Sequence, residues 1–150
     1  MKKKLLVLIA MVLMLVGCKS EKFYLDDEHY DKVGIVEIDN KELKKKEKNE
    51  DSFGIFVFLP GCSSCAEFKT VLNEFTEDED MMVYSISILD VKGTQAEDLD
   101  FAPSFIVYKE GKAVDMLDPA SNDDMPYFKS ADKFKEWLEE YVYLVVLLYI

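Results

Sequence analysis

The chain of 150 residues has no arginine, one histidine, one tryptophan and three cysteines. Its 18 lysines face 30 aspartates and glutamates, a formal net charge of -12. Such an acid excess repels phosphate backbones and anionic headgroups, which excludes nucleic acid as a partner. There is also no apolar run of the roughly 20 residues that a transmembrane helix needs. What remains is ordinary: 49% hydrophobic and 32% charged residues, in a chain long enough for one domain to bury a core without disulfide staples.

The first residues read as an address. Met1-Lys2-Lys3-Lys4 is a positive n-region, and the 12 apolar residues Leu5 to Val16 have the length of a signal h-region. The run ends in Leu15-Val16-Gly17-Cys18, which resembles the lipobox of bacterial lipoproteins. That resemblance implies cleavage before Cys18 and attachment of diacylglycerol to its thiol, with further acylation such as palmitate. A signal over 1–17, a lipidated tether over 18–31 and a folded domain over 32–150 are the expected divisions. The mature chain would carry 15 lysines against 30 acids, a balance of -15. Two or more acyl chains give stable anchoring where one does not.

Along the mature chain, Val33 to Ile38 reads as a first strand, and Asp39 or Asn40 caps a charged helix to about Lys48. Phe53 to Leu59 is a near-continuous apolar run, the pattern of a central strand buried on both faces. Pro60-Gly61 breaks it, and Cys62-Ser63-Ser64-Cys65 opens a helix with Cys65, Phe68, Leu72 and Phe75 on one face. The acidic run Glu77 to Asp80 ends that helix. Met81 to Leu89 reads as a strand and Asp90 to Phe101 as a polar connection. Ser104 to Tyr108 and Lys112 to Leu117 form a hairpin about Glu110-Gly111. Asp118 to Lys129 reads as a loop. Ser130 or Asp132 starts a last helix with Phe134, Trp137, Leu138 and Tyr141 on one stripe. The apolar run Tyr141 to Ile150 is expected to extend this helix into the core, with Val146 to Ile150 free to touch a membrane or partner. Alternation of strands and helices followed by an antiparallel hairpin implies an α/β fold, a mixed sheet with helices on both faces.

A C-x-x-C pair serves zinc, a structural bridge or reversible dithiol chemistry. Zinc sites usually take four ligands. With Cys18 acylated, only two thiols and His29 remain, and His29 falls in the tether, where it is expected to be solvent-exposed. Neither a metal nor a cofactor is expected. A bridge between residues three apart closes too small a loop to add much stability. Dithiol chemistry is the favoured use. A cysteine where a strand meets a helix lies near free N–H groups and the positive end of the helix dipole, which favour thiolate over thiol. Cys62 is then the attacking sulfur, and the more buried Cys65 resolves the mixed disulfide.

From about Val33 to Tyr141 the chain resembles the thioredoxin family. The resemblance rests on Phe53 to Leu59 leading into Cys62-Ser63-Ser64-Cys65, and on Ala102-Pro103-Ser104-Phe105-Ile106-Val107-Tyr108-Lys109-Glu110-Gly111-Lys112, similar to the family's cis-proline strand and hairpin. It implies a thioredoxin-like mixed β-sheet, a redox-active disulfide, and a substrate-binding role for Pro103 and for the backbone of Ala102. Two departures stand out. The family's Trp-Cys-Gly-Pro-Cys is here Gly61-Cys62-Ser63-Ser64-Cys65. The family's buried acid, thought to take the proton of the resolving cysteine, is here Phe56; Glu67 is the nearest substitute and reads as exposed.

The function these features imply is a thiol–disulfide oxidoreductase on the outer face of the bacterial cytoplasmic membrane. Its partners would be thiols or disulfides of exported proteins and a membrane electron donor or acceptor. Reductase, oxidase and isomerase directions stay open, with anchoring near a membrane donor suiting a reductase relay. The alternative is a redox-inactive thioredoxin-fold adaptor or chaperone, for instance in peptide or bacteriocin export.

Overall fold

A computed structural model describes residues 21–144; the signal segment 1–17, Cys18 and the run 145–150 lie outside them. Five strands form one sheet in the order β1-β3-β2-β4-β5. These are β1 (Gly34–Glu37), β2 (Phe53–Phe58), β3 (Met82–Ser87), β4 (Ser104–Lys109) and β5 (Lys112–Leu117). β1, β3 and β2 run parallel, whereas β4 lies antiparallel to β2 and β5 to β4. The helices are α1 (Glu28–Asp31), α2 (Asn40–Lys48), α3 (Ser63–Asp78) and α4 (Ala131–Leu138).

Period-two alternation sorts the central strands onto two cores. Phe53, Ile55 and Val57 of β2 join Tyr84, Ile106 and Leu43 of α2 on one face. Phe56, Val83, Phe105 and Val107 point the other way, into a core closed by Phe68 and Leu72 of α3 and Phe134 and Trp137 of α4. Both faces are therefore covered by helices, and the apolar run of β2 is continuous because each of its faces is buried. Gly54 interrupts that run for a steric reason: a Cβ there would sit 2.8 Å from the ring of Phe105 on the neighbouring strand.

Local signals set the boundaries. Asp39 caps α2 in a full capping box with Glu42, its carboxylate accepting from Glu42 N–H at 2.8 Å. Ser130 caps α4 by accepting from Lys133 N–H at 3.3 Å. Glu110 and Gly111 turn the β4–β5 hairpin with φ of 50° and 75°, the left-handed values such a turn demands.

Five expectations need correction. β3 stops at Ser87, whose hydroxyl accepts from Leu89 N–H and starts a 3-10 turn over Ile88–Asp90. The loop after β5 contains a second 3-10 turn, Met125–Phe128. α4 ends at Leu138 rather than running on; beyond it Val142 pairs in parallel with Phe23. Residues 25–31, expected in the tether, belong to the folded body: Leu25 is 3% exposed and Asp26 N–H donates to Ser52 O at 2.8 Å. His29, expected in solvent, is 0% exposed. Its Nδ1 donates to Met82 O at 2.7 Å, and its ring packs edge-on against Tyr84.

Candidate active site

β2 ends at Phe58, and Leu59-Pro60-Gly61 turns the chain into α3. Gly61 takes φ of 80°, open to glycine at little cost. Cys62 is the N-cap of the 16-residue helix α3. Its sulfur stands where a capping side chain stands, accepting from Cys65 N–H at 3.1 Å, with the Ser64 hydroxyl at 3.2 Å. Helix N–H groups and the helix dipole favour negative charge at this spot. Cys62 and Cys65 are joined as a disulfide, their Cα atoms 5.3 Å apart. Cys65 is 4% exposed, while Cys62 is half-buried and open to attack. The pair thus has the asymmetry of an attacking and a resolving sulfur.

Two concavities flank the disulfide. On one side a cavity of about 180 Å³ is lined by Phe56, Phe58, Cys62, Cys65, Lys69 and Ser85. Phe56 and Ser85 are register partners on β2 and β3. No carboxylate is among the side chains lining this cavity, so it holds no internal acceptor for the Cys65 proton. Glu67 is exposed and lines the opposite concavity. That second groove, about 200 Å³, brings Ser64 together with Ala102, Pro103, Met125 and Phe128. The Ala102–Pro103 bond is cis, and the Ser104 hydroxyl that follows donates to Phe101 O at 2.8 Å.

The fold therefore brings Cys62, Cys65, Ala102 and Pro103 to the end of the sheet where β2 finishes and β4 begins. Cys18 lies outside the described residues. Ser85 and Lys69 were not singled out from sequence. Ser85 reaches the cavity only through the β2–β3 register, and Lys69 lies on α3 four residues past Cys65, a spacing that could have drawn notice.

No protein-family model matches the chain, and no curated protein does. Solved structures do. A mutant thioredoxin from Halobacterium salinarum is 17% identical with a TM-score of 0.53, covering 79% of this chain and 97% of its own. The reduced thioredoxin of Schistosoma mansoni is 16% identical with a TM-score of 0.53, covering 72% and 98%. The oxidised thioredoxin of Plasmodium falciparum is 24% identical with a TM-score of 0.50, covering 72% and 96%. The chain has the thioredoxin-like fold. Within it, a C-x-x-C disulfide occupies the junction of the central strand and the following helix.

Proposed function

We propose that this chain is a thiol–disulfide oxidoreductase, acylated at Cys18, that works on exported proteins at the outer face of the bacterial cytoplasmic membrane. The observation that carries the redox part is the Cys62–Cys65 disulfide at the N-terminus of α3, with one half-exposed sulfur and one buried. In the reducing direction, the Cys62 thiolate attacks a substrate disulfide. That S–S bond breaks, one substrate sulfur leaves as thiolate, and a mixed disulfide forms. Cys65 then loses its proton and attacks Cys62. The second substrate thiolate departs, and the Cys62–Cys65 bond closes with two electrons passed to the substrate. Oxidation of a substrate dithiol is the same path reversed. In either case an outside partner, a membrane donor or acceptor of electrons, resets the pair. The cis Ala102–Pro103 step and Ser64 offer the groove against which a substrate strand would lie.

A second reading has its own observation. The carboxylate-free cavity beneath Cys65 suits a thioredoxin-fold adaptor or chaperone with idle cysteines. Turnover separates the two. The purified chain, supplied with a dithiol, is expected to reduce a disulfide-bonded test protein. Cys62→Ser and Cys65→Ser should each abolish that turnover. Equal rates with and without the cysteines would favour the adaptor. Mass spectrometry of the membrane-extracted protein tests the anchor, a diacylglyceryl mass on Cys18 being the expected result.

A further inference from the structure

The two sulfurs of the pair have unlike surroundings. Once the disulfide is reduced, the Cys62 sulfur keeps the two donors already described, Cys65 N–H and the Ser64 hydroxyl. Cys65 is 4% exposed and belongs to the core of Phe56, Phe68 and Leu72. Burial among apolar side chains disfavours a thiolate relative to a thiol. Yet the resolving step needs that thiolate, because the thiolate is the species that attacks the mixed disulfide.

Lys69 is the charge within reach of Cys65. It stands four residues later on α3, and side chains at that spacing are neighbours on a helix, about 5–6 Å apart at Cβ. Helical side chains lean toward the helix N-terminus, which directs the stem of Lys69 back over the turn that carries Cys65. Both side chains line the same cavity of about 180 Å³. β2 contributes Phe56 and Phe58 to its wall and β3 contributes Ser85, none of which carries a charge. Apart from the cysteines, Lys69 is the one titratable side chain lining it. Glu67, on the same helix, lines the opposite concavity together with Lys129. Three and four residues from Lys69 stand Cys65, Ala66, Leu72 and Asn73, so no carboxylate neighbours it along α3. None of the ion pairs among the described residues includes it. A unit charge at the edge of an apolar cavity is screened less than one on an open surface.

We propose that Lys69 is a positioning residue for the resolving step: across the shared cavity its ammonium stabilises the thiolate of Cys65. This rests on the dithiol chemistry proposed above and deepens it. The Cys65 proton goes to solvent, and the sulfur left behind is held by the ammonium until it attacks Cys62. A Cys62–Cys65 bond forms, the bond from Cys62 to the substrate sulfur breaks, and the electron pair leaves on the substrate thiolate. Lys69 takes no proton and makes no bond in this sequence. It offsets the burial of the charge, whereas the acid that the thioredoxin family has at Phe56 is thought to take the proton itself. Cys62 is seven residues from Lys69, about 10 Å along the helix axis, and only half-buried. The same charge therefore acts on it weakly.

The test follows the reduced full chain in detergent with dithiodipyridine, a neutral disulfide that offers no carboxylate to Lys69. Cys18→Ser is present throughout, so that only Cys62 and Cys65 react. Attack by Cys62 releases a first thiopyridone at a rate set by reagent concentration. Resolution by Cys65 releases a second at a rate independent of it. Lys69 is exposed, so its substitution spares the core. Lys69→Met should move the pH profile of the second release about one pH unit toward alkali, a loss of about tenfold at neutral pH. The alkaline plateau should stay in place. Lys69→Glu should move the profile further the same way, and Lys69→Arg, still charged, should stay within about twofold of Lys69. The first release should change by less than about twofold in all three variants. Superimposed profiles for Lys69→Met and Lys69 overturn the proposal. So does a Lys69→Arg profile that matches Lys69→Met, which would make packing of the stem the cause. An equal loss in the first release also overturns it, since the charge would then act at Cys62. A first release with no second from the chain that keeps Lys69 overturns the dithiol reading, and this proposal with it.

Discussion

The hydroxyl of Ser64 lies 3.2 Å from the sulfur of Cys62. Once the disulfide is reduced, this hydroxyl is a donor aimed at the thiolate, alongside the N–H of Cys65. Ser64→Ala removes it without disturbing the core, since Ser64 is exposed. One hydrogen bond contributes about 1 kcal/mol, a factor of about five in thiolate population. Alkylation of reduced Cys62, measured below the pH at which its rate levels off, should slow by about that factor. An unchanged rate would show that the helix N–H groups alone set the charge on sulfur.

Phe56 and Ser85 line the cavity against Cys65, and no carboxylate does. The Cys65 proton must therefore leave to solvent. Release of a mixed disulfide from Cys62 should accelerate about tenfold per pH unit through the neutral range, following the Cys65 thiolate population. Ser85→Asp, which adds a carboxylate to the same cavity, should raise the rate at the acid end of that range. A rate already flat across neutral pH in the natural sequence would reveal an internal base elsewhere.

How much of this was legible depends on the separation of the contacts. The β2 strand, the α3 helix and the β4–β5 hairpin declare themselves through local signals: an unbroken apolar run, a C-x-x-C after Pro-Gly, a Glu-Gly turn. The cysteine pair and the cis proline followed from that local order and the thioredoxin resemblance. Residues 23–31 carried no comparable pattern. Phe23 and Leu25 are too few to show a period, and the partner of Phe23 is Val142, more than a hundred residues away. His29 is buried by Met82 and Tyr84, contacts that exist only once β3 is in place. Ser85 needed the parallel register of β2 and β3, which no single-sequence periodicity encodes.

Burial strips water from His29 and depresses its pKa from 6.5 to about 4, outweighing the Met82 carbonyl and Glu28, which favour the charged ring. With Nδ1 donating, Nε2 carries the lone pair and has no hydrogen-bond partner among the described residues. The unfolded chain therefore takes up a proton first. His29 costs nothing above about pH 6.5. Stability then falls toward pH 4, by about 3 kcal/mol in full. Denaturant titrations from pH 7 to 5 should show this slope, and His29→Gln, which keeps a donor but does not titrate, should flatten it. Parallel curves for the two proteins would place the acid sensitivity in other groups.

Lys46 ties α2 to the segment before β1. Its ammonium is 2.8 Å from Glu28 and 3.6 Å from Asp51, and lies 4.3 Å from the centre of the Tyr84 ring. The Tyr84 hydroxyl also hydrogen-bonds Glu28. Burial opposes the charge on Lys46, yet its hydrogen bond to Glu28 and the adjacent Tyr84 hold its pKa above the ordinary lysine value. The cluster is only partly buried, so its worth lies between that of exposed and buried pairs. Lys46→Met should lower unfolding stability by about 1–2 kcal/mol. A loss no larger than that of the exposed Lys133→Met would mean that the pair is merely superficial.

The redox assignment itself turns on whether Cys62 captures a partner. Cys65→Ser, expressed in the native cell and quenched with acid, should accumulate disulfide-linked adducts through Cys62. These should vanish on reduction and in Cys62→Ser, Cys65→Ser. If Cys65→Ser yields no adducts, and reduced Cys62 reacts with alkylating agent like an unperturbed thiol, the cysteines are not a catalytic pair.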